Sequence, residues 1–193
     1  AAEAAAHRLV ELLDRGESPA TALHHAFDDA NSAVVRDREY PSACTLVAAV
    51  VHEASITVGS VGDSRAYWFG DDGAARQLST DDSMAQARIL LGMTREEAER
   101  SIQAHAITRW LGRDSTDWAP GVVDLAPDVD GWLLLCSDGL WNYASSPDEL
   151  AAVFAERAST VEFMVGTMIE TPRGALVVVQ EIFGVNPHIR TVA

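Results

Sequence analysis

The sequence predicts an α+β fold, with helices grouped apart from antiparallel strands. Three observations carry this. Apolar residues recur at helical spacing from Ala1 to Val35, β-type segments begin at Cys44, and tight turns rather than helices join the first strands.

In the first region Leu9, Leu12 and Leu13, then Leu23, Ala26, Phe27 and Ala30, line one face each of two helices, and Gly16 to Pro19 separate them. "CTLVAAVV" then reads as a buried strand and "ASITVGSV" as an alternating one. "RAYWF" follows after Gly62-Asp63-Ser64, so these last two strands form a hairpin. "GDDGAA" from Gly70 is a second turn, leading to the short "RQLS". Thr94 with Glu97 fits a capping box at the head of "TREEAERSIQAH", a polar surface helix. "PGVVDLAP" is a short strand, "DVDGW" a turn, and "WLLLC" a strand apolar on both faces. Ser146-Pro147-Asp148 opens a helix through Arg157, with Pro147 in the first turn, and "GALVVVQEIF" is strand-like again.

With 193 residues, 48% of them hydrophobic, the chain suits one domain with its own core. The formal charge of -15, from 29 acids against 14 bases, repels nucleic acid and anionic lipid, so neither is expected as a partner. No apolar run approaches the roughly 20 residues of a membrane span, and the amphipathic opening is unlike a signal peptide. Cys44 and Cys136 lie in apolar stretches as free thiols, which fits a reducing cytoplasm.

The acidic residues divide by context. Asp71, Asp72 and Asp130 flank glycines in polar turns, and Asp63 sits where a hairpin turns, a place where aspartate commonly bonds its own backbone. Asp81 and Asp82 with Ser83 could cap the next helix. Asp138 differs, because it ends an apolar strand where an unpaired carboxylate would be costly. Gly139 beside it allows close approach. A metal or catalytic role and a cap or turn role both remain open for Asp138 on these grounds. There is no G-x-S-x-G, P-loop, C-x-x-C or H-E-x-x-H, and His24 and His25 lie on a helix without a third ligand nearby.

Taken together, "SACTLVAAVV", "VGDSRAYWF", "LSTDDSMAQ", "ITRWLG" and "LLLCSDGLWN" resemble the protein phosphatase 2C family in order and approximate spacing. The resemblance implies an α-β-β-α sandwich of two antiparallel sheets flanked by helices, here incomplete. It implies two divalent ions, manganese or magnesium, between the sheets, activating a water. By the same resemblance Asp138 matches the aspartate of "SDG", a direct metal ligand. Asp81 matches the aspartate of "DH(S/T)", which helps hold a further, weaker ion, and Asp82 replaces the usual histidine. Asp63 and Arg65 match the "GDSR" hairpin, taken as architectural.

The departures shape the functional expectation. The family's early acidic motif and its "DG(M/V)GG" strand end do not occur in these 193 residues, and Thr171 to Arg173 stand where a "DN" is expected. One surviving carboxylate does not make a tight magnesium or manganese site. The tail "RGALVVVQEIFGVNPHIRTVA", with "VEF" and "GTMIE" before it, is similar to the opening of dienelactone hydrolases, where Glu181 would lie near a nucleophilic cysteine. Residues 1–160 are therefore expected to form a phosphatase 2C-like domain lacking its N-terminal part, and 161–193 a hydrolase-like tail.

The expected function is metal-dependent hydrolysis of phosphoserine and phosphothreonine, impaired or absent in this chain. The alternatives are a catalytically dead, phosphatase-like binding module, or a chimeric fragment without selected function. Expected partners are a phosphoprotein substrate, a kinase or regulator, and further copies of the chain meeting at exposed sheet edges. The expected location is the cytoplasm.

Overall fold

The computed structural model describes residues 1–36, 42–52, 54–157, 168–171 and 174–183. Two helices open it, α1 (Ala2–Asp14) and α2 (Pro19–Arg36). Strands β1 (Ala43–His52), β2 (Ser55–Val61), β3 (Arg65–Gly70) and β4 (Ala75–Gln77) follow. Then come α3 (Met84–Leu90), α4 (Arg95–Glu99), β5 (Leu111–Gly112), β6 (Gly121–Leu125) and β7 (Gly131–Cys136). The chain continues with α5 (Asp138–Trp141), α6 (Pro147–Arg157), β8 (Met168–Thr171) and β9 (Gly174–Phe183).

The larger sheet runs β6-β2-β1-β9-β8, with β5 added to the start of β1, and the smaller runs β4-β3-β7. Every strand pair is antiparallel. Strand alternation then assigns the two faces of β1. Cys44, Leu46, Ala48 and Val50 pack against Leu9, Leu23 and Phe27 of the helices. Val47 and Ala49 point the other way, onto Ile56, Val58, Ala66 and Trp68 between the sheets. On the far side of the smaller sheet, Tyr67 and Cys136 meet Trp141 of α5, Ala144 of the turn after it and Leu150 of α6. The layers are helix, sheet, sheet, helix, as the sequence led us to expect. Because β1 is central in its sheet and covered on both faces, it reads as one apolar run.

Three local expectations change in detail. The polar helix expected over Thr94–His105 is helical only through Arg95–Glu99, and turns follow. Its first turn is as foreseen: Glu97 N–H donates to Thr94 Oγ1, and Glu97 Oε2 accepts from the Thr94 backbone. Thr94→Ala is expected to lower stability by about 1 kcal/mol, read from the urea midpoint. Second, β7 is not buried on both faces. Trp132 is 75% exposed and Leu133 to Leu135 are half-buried. Its described neighbour is β3 alone, so one edge of this apolar strand faces no described strand. Third, Asp81 and Asp82 do not cap α3. Ser83 does, its Oγ accepting from Gln86 N–H.

The expected boundary between residues 160 and 161 lies outside the described residues, as do Pro172, Arg173 and the tail after Phe183. The backbone of Glu181 stands in β9 opposite Thr45 of β1. Among the described residues no helix is long and apolar enough to cross a membrane.

Candidate active site at the hairpin turn and the end of β7

The site is built on the turn between β2 and β3. Gly62 has φ +99, and a Cβ there would lie 2.1 Å from Thr45 Cγ2. Only glycine lets the turn sit this close to β1. Thr45 and Ser64 then share a buried hydroxyl hydrogen bond of 2.8 Å. Arg65 opens β3 directly opposite Cys136, the last residue of β7. That register brings Asp138, two residues further on, beside the turn. Trp141 closes the junction, its indole Nε1–H donating to the Asp63 carbonyl at 2.9 Å.

Arg65 is the centre of this junction and is 2% exposed. Its Nε and Nη2 donate to Asp81 as a fork, at 2.9 Å to Oδ1 and 2.6 Å to Oδ2. Its Nη1 donates to Tyr67 Oη and to the Ser145 carbonyl, each at 3.1 Å. The guanidinium carbon lies 3.7 Å from the centroid of the Trp141 ring. Burial works against the charge of Arg65, but the hydrogen bonds and charge of Asp81 outweigh it and hold the guanidinium above its ordinary pKa.

Asp82, adjacent to Asp81, is taken by a different arginine. Arg109 Nη1 donates to its Oδ1 at 3.2 Å, and Oδ2 accepts from the Gly62 backbone N–H at 3.0 Å. Arg109 also reaches Asp117 and the Ala119 carbonyl. The two neighbouring acids are thus split between two arginines, and the second of them ties its loop to the glycine of the hairpin.

Asp63 is the unusual member. It is 4% exposed, and its Oδ1 is buried without a hydrogen-bond partner among the described residues. Burial first, then the negative charges of Asp138 and Asp81, push its carboxyl up to about 6. Trp141, three residues after Asp138, bonds the Asp63 carbonyl and lies under the guanidinium that holds Asp81, so Asp138 and Asp81 stand in the same neighbourhood rather than on opposite sides of the domain. Asp138 itself is half-buried at the start of α5, and its Oδ2 accepts from Asn142 Nδ2 at 3.3 Å. The neighbouring thiol is inert by environment: burial pushes Cys136 up to about 12, and Cys44, also free, up to about 11.

Asp138, Asp81 and Asp63 therefore come together, as does Arg65. His24 and His25 are exposed on α2. Two contributors were not visible as such in the sequence: Trp141, which bonds the turn, and Arg109, which claims Asp82. The one available signal was the position of Arg65, a cation opening an apolar strand two residues after an aspartate. The carboxylates are hard oxygen donors of the kind magnesium and manganese take. However, both oxygens of Asp81 are engaged by Arg65, and no group of three or more histidine, cysteine or acidic residues among the described residues could hold a metal ion. The described residues do not fit a two-ion centre.

A family model described as protein phosphatase 2C matches residues 1–164. A serine/threonine phosphatase, stp, of Listeria innocua is 33% identical over 99 residues, which are 51% of this chain and 38% of that protein. The chain thus spans well under half the length of the curated relatives it matches. A solved bacterial serine phosphatase is 30% identical with a TM-score of 0.58, over 65% of this chain and 53% of that one. The catalytic domain of the serine/threonine phosphatase PstP, solved with 2 manganese ions, shares the fold at 22% identity and a TM-score of 0.55. That match covers 94% of this chain and 82% of that one.

Proposed function

Because the chain belongs to the protein phosphatase 2C family, we propose that it serves phosphoserine and phosphothreonine chemistry on protein substrates, with Asp138 as the carboxylate that faces a manganese or magnesium ion. The observation that supports this reading is the division of labour among the clustered carboxylates. Asp81 is neutralised by Arg65, and Asp63 is buried in a place that favours its protonated form. Asp138 is partly exposed, and among the described residues its carboxylate accepts from the side chain of Asn142 alone, which leaves it the member best placed to meet an external cation. Asp81 belongs to the site as the partner of Arg65, and an ion bound there would have to draw its oxygens away from the guanidinium.

One free carboxylate leaves a weak ion site, so the 193-residue polypeptide is expected to hydrolyse a phosphothreonine peptide no faster than Asp138→Asn does. The alternative reading, a phosphoprotein-binding module without turnover, is favoured by the engagement of Asp81. Proposed partners are a phosphoprotein, a kinase or regulator, and a second copy pairing on the outer edge of β7.

The test is a thermal melt with and without millimolar manganese, on the parent and on Asp138→Asn. A ligand that binds only the folded state stabilises it, by about 2.7 kcal/mol at a hundredfold excess over its dissociation constant. A small manganese-dependent rise in the parent that Asp138→Asn loses is the expected result. Equal rises in both proteins, or none in the parent, would remove Asp138 from the ion site.

A further inference from the structure

We propose that Arg65 is a positioning residue that sets where Asp138 stands, by joining the hairpin turn, the Asp81 loop and α5 through one buried guanidinium. The proposal rests on the reading of Asp138 as the site carboxylate. Its starting point is that α5 cannot place itself. It has four residues, too few for an independently stable helix, and its N-cap Ser137 makes no side-chain cap hydrogen bond. Something outside the helix must fix the direction in which Asp138 leaves β7.

Two reciprocal contacts do so. Trp141 reaches from the helix to the Asp63 carbonyl in the turn, and Arg65 reaches from the turn side to the Ser145 carbonyl just beyond the helix. Between them the guanidinium carbon lies over the Trp141 ring, 3.7 Å from its centroid, while Nε and Nη2 grip Asp81. Tyr67 Oη takes a further donor of the same guanidinium, and Gln77 Nε2 donates to Asp81 Oδ1 at 3.3 Å. Only a planar group with a fork of donors makes these contacts at once. Lysine would keep the charge while losing the fork of donors.

A residue that merely filled the core would lower stability and leave the folded junction unchanged. The positioning role predicts a change at α5 in molecules that are still folded. The readout is the NMR resonance of the Trp141 indole Nε1–H, assigned through Trp141→Phe, with its exchange rate and the amide resonances of residues 137–142, all without metal. In Arg65→Lys the indole proton is expected to shift and to exchange about tenfold faster or more, as local opening of α5 becomes easier. The amides of 137–142 should move as a set. Leu9→Ala, a core truncation under the opposite sheet, should leave these signals unchanged below its own transition.

If Arg65→Lys does not fold, Arg65→Met with Asp81→Leu replaces the buried pair by apolar side chains of similar size and keeps the fold accessible. That double variant should show the same loss of the indole signature. A folded variant of either kind that retains the parent shift and exchange rate overturns the proposal. Failure of the Asp138 reading appears elsewhere, as a manganese response indifferent to Asp138→Asn, so the two failures are separable.

Discussion

Asp81→Asn is expected to lower the unfolding free energy by about 3–5 kcal/mol at neutral pH, with an unchanged dependence on denaturant concentration. The side chains of Arg65 and Asp81 are 3% and 8% exposed, so neither charge can turn to water when the other is removed. Asparagine keeps the shape and one acceptor oxygen, but leaves the guanidinium uncompensated in a low-dielectric setting. The pair is not thereby a large source of stability. Two desolvated charges roughly offset their own attraction, and for that reason the apolar double replacement of Arg65 and Asp81 should recover much of the loss. A matched control is the pair Arg100–Glu96, 79% and 71% exposed, where Glu96→Gln should have no measurable effect. Urea unfolding of the three variants checks this. A loss below about 1 kcal/mol in Asp81→Asn would mean that water reaches the fork.

Asp63→Asn is expected to act in the opposite direction and to reshape the pH profile. The folded carboxyl titrates at about 6 against an ordinary value of 3.8, so the folded state binds its proton more tightly than the unfolded state does. The stabilisation from that proton is fully present below the unfolded value. It falls away as pH rises from near 4 to near 6, and above that the buried carboxylate is a liability. The swing is of order 2–3 kcal/mol. Asp63→Asn removes it, because the amide has no charge to bury beside Asp138 and Asp81. At pH 8 the variant should therefore be more stable than the parent by about 2 kcal/mol, with the two converging toward pH 4. Urea midpoints measured across that range decide the matter. Parallel profiles would show that Arg65, the cation coupled to Asp63 among the described residues, already neutralises it.

What could be read in advance follows a pattern in reach along the chain. The helix pair, the Thr94–Glu97 cap, Pro147 at the head of α6 and the hairpin at Gly62 all rest on residues within about four positions of one another. The resemblance to the phosphatase family supplied the layers and the candidates Asp81 and Asp138. The burial of β7 was overestimated because an apolar sequence shows what a strand could bury and not whether a neighbouring strand or helix covers it.

By itself the sequence determined the order and kind of the longer elements, the glycine turn at the site and the identity of the acids that could gather there, but not the short β5 and α5. Tertiary structure alone decided which acids are claimed by an arginine. Asp81 meets its cation 16 residues away, Asp82 its own at 27, and Trp141 reaches the turn across 78. The physical reason is that a carboxylate's role depends on the charges and desolvation around it. Both are set by distances in space that spacing along the chain does not encode.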